Sequence, residues 1–443
     1  MLTLLIDFLT QYFVKLFFAL IDNSPNWLGA KLFEGFSPKK TKAVDEILVD
    51  PTCGDQHMDL RDNRLLISSA FGSYFTGLLE RDHSYINLRG QVIIEAPGFG
   101  SIQDPFQKIY WALEHSRGPQ VILLAGQGGM GKSTLAAKII RCLYSQGGID
   151  VIIGDSAKTQ EVNPVSGSIK SIDPAYYNVD TFIRRINQQL GLPIPSGRNI
   201  QTRMLSAIKD RLEGRRTIVV VDNLETMSKG VDLLTALRYL AGRDLRILIT
   251  TRSISGLTEN MLGLLLIRLQ PIKEISSAQD FIRWHIETHL RAHPDLSKIS
   301  KDLNNKKNIE KLIEKTGGIP LLIQLLVSDV ARTSWDRLDK IPHLFGQDLL
   351  AFLYDERWDE LDRLGDIGKV AQRVLTYVKL SQYEGKKITL NSILEWSKKS
   401  ETFNVVQESI QILEQQFLLV NSDQKYGNYS IFPSLSEYLN AKI

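Results

Sequence analysis

The sequence is poor in the features that mark several protein classes. Its 443 residues include two cysteines, Cys53 and Cys142. Two cysteines so far apart supply neither a disulfide framework nor metal-ligand spacing, and a reducing compartment fits such usage. Net charge is only +3, from 53 basic and 50 acidic side chains, so charge alone points to neither a nucleic-acid nor a membrane partner. The basic pairs Lys39/Lys40, Arg215/Arg216 and Lys386/Lys387 are scattered and read as solvated faces. There is no short-period repeat and no long low-complexity run. Asp55, His57, Asp59, Asp62 and His83 lack metal spacing and read as surface residues. What is present is an ordinary globular balance, 43% hydrophobic and 23% charged, over a length that suits about two to four domains.

The chain is organised around VILLAGQGGMGKST, Val121 to Thr134. Val121 to Ala125 read as a buried strand. Gly126, Gly131, Lys132 and Ser133 then satisfy G-x-x-x-x-G-K-[ST]. Gly128 and Gly129 let the backbone between them curl, so that N–H groups from Gln127 through Met130 form an anion nest at a helix N-terminus. Lys132 is expected to reach the β- and γ-phosphates, and Ser133 to ligate Mg²⁺. The following TLAAKIIRCLY has the periodicity and composition of a helix.

Upstream, VIIEA near position 94 is strand-like and Asp104 to His115 suits a helix, but residues 37–110 carry no recognisable chemistry. Downstream, VIIGD (151–155) reads as a second buried strand, and Asp180 to Leu190 and Gln201 to Leu212 as helices. TIVVVD, Thr217 to Asp222, is a continuous β-branched run ending in an acid. Such runs belong in parallel sheets covered on both faces, whose strand C-termini present ligands. Asp222 is the expected Mg²⁺ ligand. Asn223 cannot act as a base. Glu225 is the nearest carboxylate, either orienting the attacking water or serving structure, and slow hydrolysis is expected. LRILIT (245–250) runs into Thr251 and Arg252, where a cation can touch the γ-phosphate. LLLIRLQPI (264–272) closes the set of strands. Helices follow at Ala278 to Leu290 and Lys311 to Arg332, the second broken at Gly317-Gly318-Ile319-Pro320.

Residues 2–21, LTLLIDFLTQYFVKLFFALI, are overwhelmingly apolar, and about 20 helical residues span a bilayer core. Asp7 and Lys15 interrupt the run, and no basic stretch or cleavage site makes it a signal peptide. Three readings fit: a helix packed on protein, a membrane-lying segment, and a single-pass anchor.

GQGGMGKST, VVVDNLE, ILITTRS, RLQPI and GGIPLL, in this order, resemble the NB-ARC module of STAND-class ATPases, in the form found in bacterial members. The resemblance covers roughly 115–443. It implies phosphate binding by Lys132, Ser133 and Thr134, Mg²⁺ binding by Asp222, a sensor role for Arg252, and nucleotide contact by Pro320 from a helical second domain. LYDERWDEL resembles the entry to the family's winged helix. Its helices are expected at Asp366 to Leu380, Thr389 to Ser397 and Val405 to Phe417, with a wing turning near Asp423–Tyr426.

The expected architecture is α/β: a P-loop parallel sheet with helices on both faces (111–272), a helical domain (273–345) and a winged-helix domain (346–443). These follow an apolar helix (1–36) and an unassigned region (37–110). By resemblance the protein binds ATP and ADP with Mg²⁺, is cytoplasmic with membrane contact through 2–21 as an option, and oligomerises when ATP replaces ADP. Its trigger and oligomer number are not legible. The family usually has an ADP-binding histidine after the wing. Here Phe432 takes that place, which implies either a loosely locked resting state or a ring that merely packs the wing onto the sheet domain. Family members usually continue into sensor repeats, so sensing is expected from 1–110, a partner or further sequence. Two other readings stand beside this one. One is a DNA-binding regulator, disfavoured by the acidic VVQESIQILEQQF with no Lys or Arg. The other is a membrane-associated effector with structural nucleotide.

Overall fold

Apolar strands without polar alternation must be covered on both faces, and the computed structural model places them so. It describes residues from Gly90 to Lys442 apart from 95–104, 115–117, 148, 228–229, 243, 255–263, 291–304, 336–337, 339–344, 399–400 and 422–426. All of these belong to one unit, Val49–Ile443. The apolar run 2–21 and the expected wing turn lie outside the described residues. Among the described residues, no helix is long and apolar enough to cross a membrane.

The main sheet contains β1 (Gly90–Ile94), β2 (Val121–Ala125), β3 (Val151–Ser156), β6 (Thr217–Asp222), β7 (Leu245–Thr251) and β8 (Leu264–Leu269). Its order is β1-β8-β2-β7-β6-β3, with every pair parallel except the antiparallel edge pair β1–β8. A small antiparallel hairpin, β4 (Gln160–Val162) and β5 (Ile169–Ser171), stands apart. Pleating sends alternate residues to opposite faces. Ile122, Leu124, Val220 and Leu248 pack with α1 (Pro105–Glu114) and α2 (Lys132–Ser145). Leu123, Val219, Val221 and Ile249 pack with α3 (Val179–Gln189), α4 (Ile200–Leu212) and α5 (Gly230–Leu240). Helices therefore cover both faces.

The segment 264–272 supplies the last strand of the main sheet in chain order, which ends at Leu269, and β1 pairs beyond it as an antiparallel edge strand. β1 and α1, both of which begin before 111, pack with the sheet. An antiparallel edge strand leaves no crossover signature, which is why its membership was invisible. Cys142 is fully buried on α2. The only other cysteine, Cys53, lies outside the described residues.

After the sheet come α6 (Ile275–His289), α7 (Lys306–Thr316) and α8 (Pro320–Arg332). The corner between α7 and α8 depends on Gly318, whose φ is +74°; a Cβ there would lie 2.3 Å from the Ile272 carbonyl oxygen. No other residue type tolerates both conditions. Pro320 takes the first helical position of α8, where its missing N–H costs nothing.

The C-terminal region is α9 (Gln347–Arg363), α10 (Asp366–Tyr383), α11 (Leu390–Ser397), α12 (Phe403–Gln415), a hairpin of β9 (Val420–Asn421) and β10 (Tyr429–Ser430), and α13 (Pro433–Lys442). Thr389 and Ser392 form a capping box that starts α11 where the sequence predicts it. The last helix, α13, packs on α9 and α7. This ties the chain end to the helical region that follows the sheet.

Candidate functional site

Parallel strands align their C-terminal ends, so β2, β3, β6 and β7 deliver their last residues to one edge of the sheet. The loop after β2 is held there by Gly126 N–H donating to Thr251 O at 3.2 Å. Gly131 caps α2 with φ 88°, and Leu135 N–H donates back to its carbonyl at 2.9 Å. The expected loop, Gly126, Gln127, Gly128, Gly129, Met130 and Gly131, thus leads directly into Lys132, Ser133 and Thr134 on the first turn of α2.

Asp222 ends β6 and is 1% exposed. Its Oδ1 accepts from Ser133 Oγ at 2.6 Å and from Thr250 Oγ1 at 2.7 Å, and its Oδ2 accepts from Ser156 Oγ at 2.6 Å. Ser133 and Asp222, expected as metal ligands, are therefore adjacent. Sequence reasoning missed Thr250 and Ser156. The available signal was a hydroxyl closing an otherwise apolar strand, and the β3–β6 register pairs Ser156 with Asp222 directly. These hard oxygen donors suit Mg²⁺. Among the described residues no group of three or more His, Cys, Asp or Glu could hold a metal, so phosphate and water would complete its shell. The ion's chemistry there would be to neutralise charge on the phosphates.

Lys132 is buried, and its Nζ donates to the carbonyls of Gly126 at 2.8 Å and Gln127 at 3.0 Å. Burial pushes its pKa down to about 7, with Arg252 and Arg357 adding to the effect and Glu225 and Asp222 opposing it. An ammonium so placed gains from an arriving phosphate.

Glu225 lies in a short 3₁₀ turn, Leu224–Thr226, that follows Asn223, whose φ is +65°. Its Oε1 is 3.1 Å from Arg252 Nε. The angle is too poor for a hydrogen bond, so both carboxylate oxygens lack a donor. Of the two readings left open for Glu225, this arrangement has it pairing with Arg252. Arg252 in turn donates through Nη1 to the Phe352 carbonyl at 2.9 Å and lies 4.8 Å from the Phe352 ring. A cavity of about 670 Å³ opens beside Arg252, lined also by Asn223, Thr226, Lys158 and Glu356. Burial pushes the Glu356 carboxyl up to about 7; Glu225 adds to this, while Arg252 and Arg357 oppose it.

Two helices meet the P-loop from outside the sheet. Leu321 N–H, next to Pro320, donates to the Gly129 carbonyl at 3.1 Å. Gly129 has φ +79°, and a Cβ there would lie 2.8 Å from Leu321 Cβ. From α9, Leu353 approaches Gly128: a Cβ on Gly128 would be 3.2 Å from Leu353 Cδ2 and 3.4 Å from the Arg252 guanidinium. Gln127 Nε2 donates to Tyr354 Oη, which is also hydrogen-bonded to Ser434 Oγ on α13. Phe432 is buried with its ring against the Gly317 corner, where a Cβ would lie 2.9 Å from Phe432 Cδ1.

Residues 89–256 match a family model described as an AAA domain. The matched segment holds the P-loop, Asp222 and Arg252 and is similar to that domain. No curated protein matches the sequence. Among solved structures, a Walker-type ATPase of Pyrococcus abyssi is similar at 15% identity, covering 79% of this chain and 99% of that one, with a TM-score of 0.46. Cdc6p of Pyrobaculum aerophilum is similar at 13% identity, over 80% of this chain and 100% of that one, with a TM-score of 0.34. The ORC2 protein of Aeropyrum pernix in its ADP form is similar at 14% identity, over 76% and 91%, with a TM-score of 0.35. Likeness of this degree carries nothing about substrate or partner.

Proposed function

We propose that this chain is a nucleotide-dependent switch of the STAND type. ADP in the P-loop holds the sheet domain, α7–α8 and the C-terminal helices together. ATP exchange with Mg²⁺ draws Arg252 to the γ-phosphate and releases α9, and the opened chains oligomerise, with residues 2–21 as the output segment. The module formed by α10, α11, α12 and the β9–β10 hairpin serves as a winged helix that locks the switch.

The observation that supports this reading is the position of α9. Its residues Phe352, Leu353 and Tyr354 meet Arg252, Gly128 and Gln127 in turn. A helix so seated couples whatever fills the P-loop to the C-terminal region, because a ligand shifts an equilibrium by its differential contacts with the two states. With Glu225 engaged by Arg252, turnover is slow and the bound nucleotide, not its hydrolysis, sets the state.

The test is to identify the nucleotide that co-purifies with the full chain and to measure particle mass after loading with ADP and with a non-hydrolysable ATP analogue and Mg²⁺. Monomeric ADP-loaded protein and larger ATP-loaded particles are expected. One mass in both states would sink the switch while leaving nucleotide binding intact.

A further inference from the structure

Arg357 is 2% exposed on α9. Its Nη1 donates to the Gln416 carbonyl at 3.0 Å, and its Nη2 to the Leu353 carbonyl one turn back. The guanidinium lies 5.0 Å from the Tyr354 ring centre, which limits its swing. Its Nε, buried from solvent, has no hydrogen-bond partner. Among the described residues no carboxylate forms an ion pair with it. A guanidinium removed from water without a paired anion is costly, and structures rarely leave one so.

The position of this orphan donor indicates what satisfies it. Arg357 is four residues along α9 from Leu353, which seats against Gly128, and it is among the charges that act on Lys132. Lys132 from α2, Arg252 after β7 and Arg357 from α9 are thus three cations around one place. None of the nearby acids meets the Arg357 Nε: Asp222 accepts from three hydroxyls, Glu225 lies against Arg252, and Glu356 makes no ion pair with it. A buried guanidinium with an unused N–H beside the phosphate loop's lysine suits an anion.

We propose that Arg357 is a phosphate-binding residue, donating through Nε to a terminal phosphate oxygen of the nucleotide in the P-loop. It rests on the nucleotide-binding reading of Lys132. The C-terminal region then supplies a charged donor from the same chain to the phosphates, and its grip depends on how many phosphates are present.

The experiment is calorimetry on the full chain with ADP, ATP and AMP, for the wild type, Arg357→Gln, Arg357→Lys and Lys132→Ala. A charge-assisted hydrogen bond lost from a buried site corresponds to roughly a tenfold to hundredfold loss of affinity. Arg357→Gln is expected to lose at least tenfold for ADP or ATP and less than threefold for AMP. Arg357→Lys should fall between, since one ammonium cannot hold the Gln416 carbonyl and reach a phosphate together. If Arg357 only ties α9 to α12, both variants melt earlier but bind ADP and ATP as the wild type does, or lose affinity equally for all three nucleotides; either result overturns the proposal. Should Arg357→Gln not fold, Arg357→Lys decides: unchanged ADP and ATP affinity overturns it. Lys132→Ala separates the two claims. Loss of binding there with none at Arg357 removes only Arg357, whereas unchanged binding in Lys132→Ala removes the P-loop assignment itself.

Discussion

Gln127 in the P-loop and Tyr354 on α9 are joined by a buried 2.5 Å hydrogen bond across 227 positions of sequence. Tyr354 Oη is also 2.6 Å from Ser434 Oγ, so one phenol links the phosphate loop to the last helix. Tyr354→Phe keeps the ring and removes the link. It should cost about 1 kcal/mol of stability and speed release of a fluorescent ADP analogue several-fold in stopped-flow measurements. Release at the wild-type rate would reduce Tyr354 to packing.

Lys132→Ala should abolish ATP and ADP binding while leaving the fold intact. The lysine is a buried cation with only carbonyl partners, so its removal relieves a desolvation cost. Circular-dichroism melting without nucleotide should give a midpoint at or above the wild-type value, and calorimetry should show no binding.

The hydroxyl of Thr250 orients the carboxylate expected to hold Mg²⁺ and also accepts the Asn223 N–H. Thr250→Val keeps the shape and removes both bonds. Losing about 1 kcal/mol of positioning should raise the Mg²⁺ concentration for half-maximal ATP binding about fivefold. Nucleotide binding without Mg²⁺ should hardly move. Asp222→Asn should flatten the Mg²⁺ dependence much further; an unchanged Mg²⁺ dependence would mean that another acid holds the metal.

Phe432→His tests the histidine position of the resembled family. The ring fills a buried place against Gly317, where an imidazole packs less apolar surface. The expected result is a loss of about 1–3 kcal/mol in urea unfolding, with the ratio of ADP to ATP affinity unchanged. A selective gain for ADP would show that this position reaches the nucleotide.

His285 on α6 is 1% exposed and hydrogen-bonded to Ser328 Oγ at 2.9 Å. Burial, then His289, pushes its pKa from 6.5 down to about 3. Unfolded chains take up this proton below pH 6.5 and the folded chain only near pH 3. Its stability contribution is therefore complete above pH 6.5 and is lost as pH falls through that window. His285→Gln should be less stable than the wild type at pH 7.5, and the gap should narrow by pH 5. Parallel pH profiles would mean that His285 does not titrate on unfolding.

The sequence by itself determined the elements whose signals are local. TIVVVD and VILLA became β6 and β2 at the expected residues, because a short apolar run bounded by turn residues suits a strand covered on both faces. The P-loop glycines and the Gly317–Pro320 corner were legible because backbone geometry demands those residue types, and Asp222 because an acid closes an otherwise apolar strand. Only the tertiary structure decided what depends on chain segments far apart. The β1 edge pairing, the Arg252–Glu225 pair and the convergence of Ser133, Ser156 and Thr250 on Asp222 are such cases. Tyr354 and Arg357 stand in LYDERWDEL, a charged stretch whose residues by themselves point to no phosphate contact. Burying them over the phosphate loop is a consequence of packing α9 against the sheet edge, and no local pattern encodes which partner a helix face will meet.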